Sequence, residues 1–360
     1  MSTFTVAATP RVLILTVLTV SVICAHGEAS AQDVEAASEC RSISDATARL
    51  ACYDAAFGGV EPSVIEQDEP IRQRSLESPV RGPLESRLDE RWELSPGSKQ
   101  GTFHLRPYKP VYILAAFHAS SPNRQPRSAN PENTATSPLD VRDTEAKYQI
   151  SFKSKLWENV IGDYSDLWFA YTESSRWQLY NAGASRPFRE TDYEPEVMLT
   201  FRTPFSVFGW EGRMAGIGIN HQSNGRSIPL SRSWNRLIGT LGLEKGDWTV
   251  TARYWSRINE DPEDDDNPDI EDYIGRADLL VTRTWRRHEL ALSLSHSLRD
   301  GERSRGSIGL DWAFPISGNL RGYLQIFNGY GESLIDYNHS ATYVGFGVSL
   351  VNWYPLPVPD

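Results

Sequence analysis

The chain has 360 residues, 39% of them hydrophobic, with a mean hydropathy of -0.44 and a formal net charge of -11. That hydropathy excludes a bundle of membrane-spanning helices, each of which needs about 20 consecutive apolar residues. The acidic balance argues against a nucleic-acid partner, because such a surface repels phosphate.

In chain order, the first element is a leader. Arg11 precedes an apolar run from Val12 to Ala25, and Ala29-Ser30-Ala31 follows it. A charged start, an apolar middle and a small-residue close describe a secretory signal peptide over residues 1–31, removed near Ala31/Gln32. Val22-Ile23 ahead of Cys24 fit a lipoprotein acylation motif poorly. Cys40 and Cys52 then remain, and export permits a disulfide. On one continuous helix they would stand roughly 18 Å apart, so a bridge needs a turn. Ser42-Ile43-Ser44-Asp45 supplies one, with Ser44 or Asp45 as cap of the helix that follows. Two unpaired thiols are the alternative.

Residues 32–60 read as one or two short helices, with "DATARLACYDAAF" the clearest. Residues 61–100 are rich in Pro, Glu, Arg and Ser, lack apolar periodicity, and read as a linker or disordered stretch. Residues 32–100 together form a short, partly helical periplasmic extension, and residues 101–360 form the main domain.

From about residue 101 apolar and polar residues alternate in twelve segments: 103–118, 146–157, 166–180, 194–204, 212–222, 233–243, 247–258, 273–285, 288–298, 305–315, 319–329 and 342–352. Ile308, Leu310, Trp312 and Phe314 share one face, and Ser307, Gly309, Asp311 and Ala313 oppose them. Alternation alone also suits a soluble sandwich, so the connections decide. Those after odd-numbered segments are mostly long ("QSNGRSIPLSR", "NEDPEDDDNPDIED"), and those after even ones are mostly short ("EKGD", "WRRH", "ISGN"). Long outside loops and short periplasmic turns belong to a closed up-and-down barrel in an outer membrane. The even count, the leader and 11% aromatic residues agree. The expected fold is a twelve-stranded antiparallel transmembrane β-barrel.

Within that frame "MAGIGINHQSNGRSIPLSRSWNRLIGTLGL" (residues 214–243) is unusual. Side chains two apart share a strand face. His221, and Ser223 if the strand continues, therefore share the lipid face of Ala215, Ile217 and Ile219. Asn235 shares that of Leu237, Leu241 and Leu243 on the next strand. Polar groups facing lipid are costly unless they satisfy one another. The bland explanation is that both strands end at the headgroup layer, where polarity costs little. The functional one is a nucleophile (Ser223), a base (His221) and an orienting amide (Asn235), placed at the depth of lipid ester bonds. An asparagine would keep a further charge off a low-dielectric surface. Gly225, two residues past Ser223, could bring a backbone N–H to an oxyanion.

"NHQSNGRSIPLSRSWNR" resembles the signature of outer membrane phospholipase A, and "WQLY", "SRPFRETDYEPE", "DDDNPDI" and "GYGESLIDYN" extend the likeness over roughly residues 103–352. The resemblance implies a calcium-requiring hydrolase of phospholipid and lysophospholipid acyl esters, active as a homodimer toward the outer leaflet of a Gram-negative outer membrane. It implies His221 as base, Ser223 as nucleophile and Asn235 as orienting residue. It also implies calcium ligands at the Arg226 carbonyl, the Ser231 hydroxyl and Ser185 of the second subunit, with Asp266 serving a monomer-type calcium site. The chain departs from the family pattern at Ile228, where an acidic residue is expected, and at Glu173, where a glutamine is expected at the dimer contact. Two rival readings stand: a small-solute channel, whose narrow lumen Arg253, Arg276, Arg283, Asp311 and Arg321 are available to fill, and a structural or adhesive barrel that uses its outside loops.

Overall fold

Period-two alternation is realised as strands that close on themselves. The computed structural model describes residues 40–56, 86–318 and 320–354. The signal peptide assigned to residues 1–31, and most of the linker, lie outside the described residues. The chain divides into two units, residues 1–81 and 82–360. In the first, Cys40 and Cys52 form a disulfide. Helix α1 (Ala46–Ala56) is capped by Asp45, whose carboxylate accepts from the Thr47 and Ala48 N–H groups at 3.1 and 2.9 Å.

The second unit contains helix α2 (Arg87–Trp92) and strands β1 (Leu105–Pro107), β2 (Val111–Ala119), β3 (Thr144–Glu158), β4 (Ser165–Trp177), β5 (Phe188–Val207), β6 (Trp210–Ser223) and β7 (Ser233–Lys245). It continues with β8 (Trp248–Ile258), β9 (Ala277–Trp285), β10 (His288–His296), β11 (Gly306–Ser317), β12 (Leu320–Tyr330) and β13 (Ser340–Val351). Strands β2 to β13 pair antiparallel with their chain neighbours, and β13 pairs with β2. This is the expected closed barrel of twelve strands. Closure leaves no edge whose N–H and C=O groups would face lipid unpaired.

Three readings of the sequence need correction. The segment at 103–118 is interrupted: β1 and β2 both pair with β3, and the ladder stops between them. Pro107 and Pro110 flank the gap and have no N–H to donate. Strand β5 begins at Phe188 rather than at 194. Its charged start looked like a loop, but Glu190 and Asp192 are buried inside the barrel. The linker reading fails for residues 86–100, which belong to the barrel unit. There Ser86 caps α2 through the Asp89 N–H at 2.9 Å. Leu88 and Trp92 pack with Trp168, Met198, Met214 and Tyr354 in one core cluster. The helix is only six residues long, too short to show periodicity.

Helix α2 marks the short-turn end of the barrel, where Arg87 pairs with Asp247 in the β7–β8 turn at 2.9 Å. The β5–β6 turn is equally tight, with Phe208 and Gly209 both left-handed (φ 51° and 76°), the conformation that two-residue hairpins favour. At the opposite end the connection 331–339 folds inward and buries Leu334, Ile335 and Tyr337. Between these plugs a buried aromatic cluster that includes Tyr112, Phe117, Tyr323 and Tyr343 lies beside buried ion pairs. Glu332 accepts from Lys147 at 2.7 Å and from Arg176 at 3.0 Å, and Arg176 also pairs with Asp192 at 2.7 Å. Apolar residues also face outward, among them Ile113, Ile150, Ile217, Ile219, Val344 and Phe346. The barrel is thus inside-out relative to a soluble protein, as a lipid solvent requires.

Burial opposes ionisation of Glu332, yet Arg176 and Lys147 outweigh it and hold the carboxyl at about 2. A carboxyl depressed by folding stabilises above its unfolded pKa of about 4.3 and loses that stabilisation as pH falls through the folded value. Glu332→Gln should therefore destabilise the barrel at pH 7 by about 3 kcal/mol, since buried Lys147 loses its counter-charge and Arg176 one of its two. The gap from wild type should close as pH approaches 2. Heat-modifiable gel mobility across urea would measure it, and equal midpoints at pH 7 would refute it.

Candidate active site

Strands β6 and β7 place His221 opposite Asn235 and Ser223 opposite Ser233. On β6, Ile217 and Ile219 are 49% and 57% exposed while Gly218 and Asn220 are buried, so the odd-numbered face looks out. On β7, Leu237 and Leu241 are exposed and Trp234, Arg236 and Ile238 are buried. His221, Ser223 and Asn235 continue the two outward faces at the long-loop end.

Asn235 Oδ1 lies 2.8 Å from His221 Nδ1. An amide oxygen only accepts, so this contact puts the proton on Nδ1 and leaves the Nε2 lone pair free. Asn235 Nδ2 in turn donates to Glu260 Oε1 at 2.7 Å. Ser223 Oγ forms no hydrogen bond with the imidazole among the described residues. Catalytic contacts of this kind commonly tighten only when substrate binds.

The connection 224–232 is shaped from below by Asn224. Its side chain donates to Glu190 at 2.9 Å and to the Leu230 carbonyl at 2.8 Å, and accepts from the Arg232 N–H at 2.9 Å. Buried Arg232 adds bonds to the carbonyls of Ser231 and Asn133 at 2.6 and 2.8 Å. Gly225 has φ +61°, and its N–H meets no protein acceptor among the described residues. Arg226 donates its guanidinium to the Arg189 carbonyl at 2.8 Å, and its own carbonyl accepts nothing among the described residues.

Ser231 and Asp266 are brought together, with Ser231 Oγ donating to Asp266 Oδ2 at 2.7 Å. Ser233 Oγ reaches the same oxygen at 3.3 Å, and Asn133 Nδ2 holds Asp266 Oδ1 at 2.8 Å. Ser185 lies in another connection, left-handed (φ 60°) and exposed, away from this group of contacts. Carbonyl, hydroxyl and carboxylate oxygens are the ligand types that calcium takes, so the donor chemistry fits that ion. Among the described residues there is no cluster of three or more His, Cys, Asp or Glu that could hold a metal. Ile228 is 61% exposed beside the site. Glu173, on the outward face of β4, accepts from Tyr171 Oη at 3.2 Å.

Sequence reasoning missed Glu260, Asn224, Arg232 and Asn133. Only Glu260 carried a usable signal: it stands two residues past the end of β8, which pairs with Asn235. Burial pushes the Glu260 carboxyl up, Asp265 and Asp266 add to this, and Arg257 and the Asn235 amide oppose it.

The Phospholipase A1 family model matches residues 88–350. The chain belongs to the phospholipase A1 family. A putative phospholipase A1 of Neisseria meningitidis serogroup B is 36% identical over 348 residues, covering 87% of this chain and 90% of its own. The structure of outer membrane phospholipase A from Escherichia coli is 37% identical, with a TM-score of 0.62 over 69% of this chain and 95% of its own. A Salmonella typhi outer membrane phospholipase, crystallised as a dimer with bound calcium, is 37% identical, with a TM-score of 0.62 over 70% of this chain and 94% of its own. The protein is a phospholipase, an ester hydrolase in an outer-membrane barrel.

A Cβ on Gly225 would lie 3.1 Å from the Tyr193 ring, in a backbone conformation that costs a substituted residue about 1–2 kcal/mol. Gly225→Val should therefore leave the barrel folded but cut phospholipid hydrolysis by about tenfold or more. Full activity in a titrimetric assay would show that the loop geometry is not needed.

Proposed function

We propose that this phospholipase hydrolyses acyl esters of phospholipids and lysophospholipids, at the sn-1 and sn-2 positions, through Ser223, His221 and Asn235 in a calcium-dependent reaction. The observation that carries the reading is the 2.8 Å His221–Asn235 contact on a face otherwise given to lipid. His221 Nε2 takes the Ser223 proton as Oγ attacks the ester carbonyl. Asn235 holds the ring in the tautomer that makes this possible. The imidazolium then protonates the departing lysophospholipid or glycerophosphodiester alkoxide, leaving an acyl-serine. Water, deprotonated by the same Nε2, attacks the acyl-serine, and the proton returns to Ser223 as the fatty acid leaves. The Gly225 N–H faces the developing oxyanion.

The Arg226 carbonyl and the Ser231 hydroxyl would hold calcium, completed by Ser185 of a second copy, and Asp266 would serve a monomer-type calcium site. When bound, the ion supplies positive charge for the oxyanion. The Salmonella typhi relative, a calcium-bound dimer, supports both the ion and the homodimer. Ile228 removes a carboxylate from the monomer-type site.

Ser223→Ala should lower hydrolysis of phosphatidylcholine by refolded protein about 10⁴-fold, and Asn235→Ala by less, because an unsupported imidazole still accepts a proton. Chelator should abolish activity, and full activity in chelator would remove calcium from the account. The channel reading predicts steady current in planar bilayers. With its lumen crossed by ion pairs and plugged at both ends, this barrel should pass little.

A further inference from the structure

The hydrogen bonds of Asn235 continue past the imidazole. We propose that Glu260 is a positioning residue of the same site: its carboxylate fixes the Asn235 amide and sets a negative charge two hydrogen bonds from the histidine. This rests on the triad proposed above.

An asparagine amide is nearly symmetrical in shape but not in chemistry. Flipped, it would point Nδ2–H at His221 Nδ1 and impose the wrong tautomer or break the contact. A group that only accepts, placed on the far side, decides between the two orientations. Glu260 Oε1 occupies that place, 2.7 Å from Nδ2. The side chain is held there: it is 20% exposed, and Oε2 faces Arg257 at 3.8 Å. Arg257 is itself anchored on Asp265 at 2.6 Å and on the Asn267 carbonyl at 3.2 Å.

His221, Asn235 and Glu260 thus run in line from β6 through β7 to the first turn beyond β8. The arrangement is a serine–histidine–carboxylate relay with a neutral amide inserted. The charge stands one hydrogen bond beyond Asn235 and acts on the imidazole through a polarised amide. As His221 Nε2 takes the Ser223 proton, the Nδ1–H···Oδ1 bond strengthens. No proton passes to Asn235 or Glu260, and the imidazolium returns to neutral when the leaving alkoxide is protonated.

The test uses the full-length protein in detergent micelles with calcium, with kcat and KM measured on phosphatidylcholine. Glu260→Ala should lower kcat about tenfold and leave KM within about twofold. Added to Asn235→Ala it should cost nothing more, because its effect passes through that amide. Glu260→Gln, which keeps volume and an acceptor, guards against misfolding and should fall between wild type and Glu260→Ala. Asn235→Asp sets two carboxylates against each other and should be severely impaired. Adding Glu260→Gln should recover it about tenfold, since the new amide donates to the new carboxylate. An unchanged kcat, a loss that adds fully to Asn235→Ala, or a rise in KM alone would overturn the proposal and leave Glu260 as a loop anchor. Ser223→Ala, assayed alongside, separates the two failures: if it retains activity, the triad reading itself falls and this inference with it.

Discussion

A polar side chain on the lipid face of a strand is poorly hydrated and is best satisfied by a partner on the same face. That constraint organises the site. In a barrel, same-face neighbours are fixed by register, and the β6–β7 register sets His221 directly across from Asn235. A slip of β7 by one residue would turn Asn235 into the lumen, where Asn220 and Arg236 already bond to each other, and leave His221 without its partner. The geometry of the imidazole is therefore a consequence of strand pairing, and little loop architecture is needed to produce it.

The same physics, inverted, accounts for the rest of the barrel. Lipid outside forces charge inward, and charge inside must be neutralised. Lys155 sits wholly buried between Glu93 and Asp166, each 2.9 Å away, and Lys153 lies over the Trp92 ring with its ammonium 3.3 Å from the ring centroid. Helix α2 and the connection 331–339 complete this interior from opposite ends. Loops and lumen are consequently coupled: Asn224, which shapes the connection after Ser223, rests on Glu190, and Glu190 also accepts from the Ile335 N–H at 3.1 Å. The outward-facing site stands on an inward-facing polar core.

The fold was legible because alternation, even strand count and loop-length asymmetry all follow from one solvent. The outward placement of His221, Ser223 and Asn235 was legible for the same reason, since it follows from counting by two. What escaped were features without a period. Helix α2 is a single turn and a half, and its tryptophan and leucine looked like isolated residues in a polar stretch. The charged start of β5 looked like a loop, because polarity inside a barrel costs nothing when partnered. Glu260 was absorbed into an acidic run whose members resemble one another, and only its place just past the strand that pairs with Asn235 set it apart. The reason given for asparagine was incomplete as well. A carboxylate is present, but it lies one hydrogen bond beyond the asparagine.

The central claim is the register that turns residue 223 toward lipid, and nitroxide accessibility measures it directly. Spin labels at Ser223→Cys and Gln222→Cys, in protein reconstituted into bilayers, would be compared for collisions with oxygen and with a water-soluble nickel chelate. The account predicts that the label at 223 meets oxygen far more often than the label at 222, which should be shielded from lipid. The reverse ranking would place the serine inside the barrel and contradict the account.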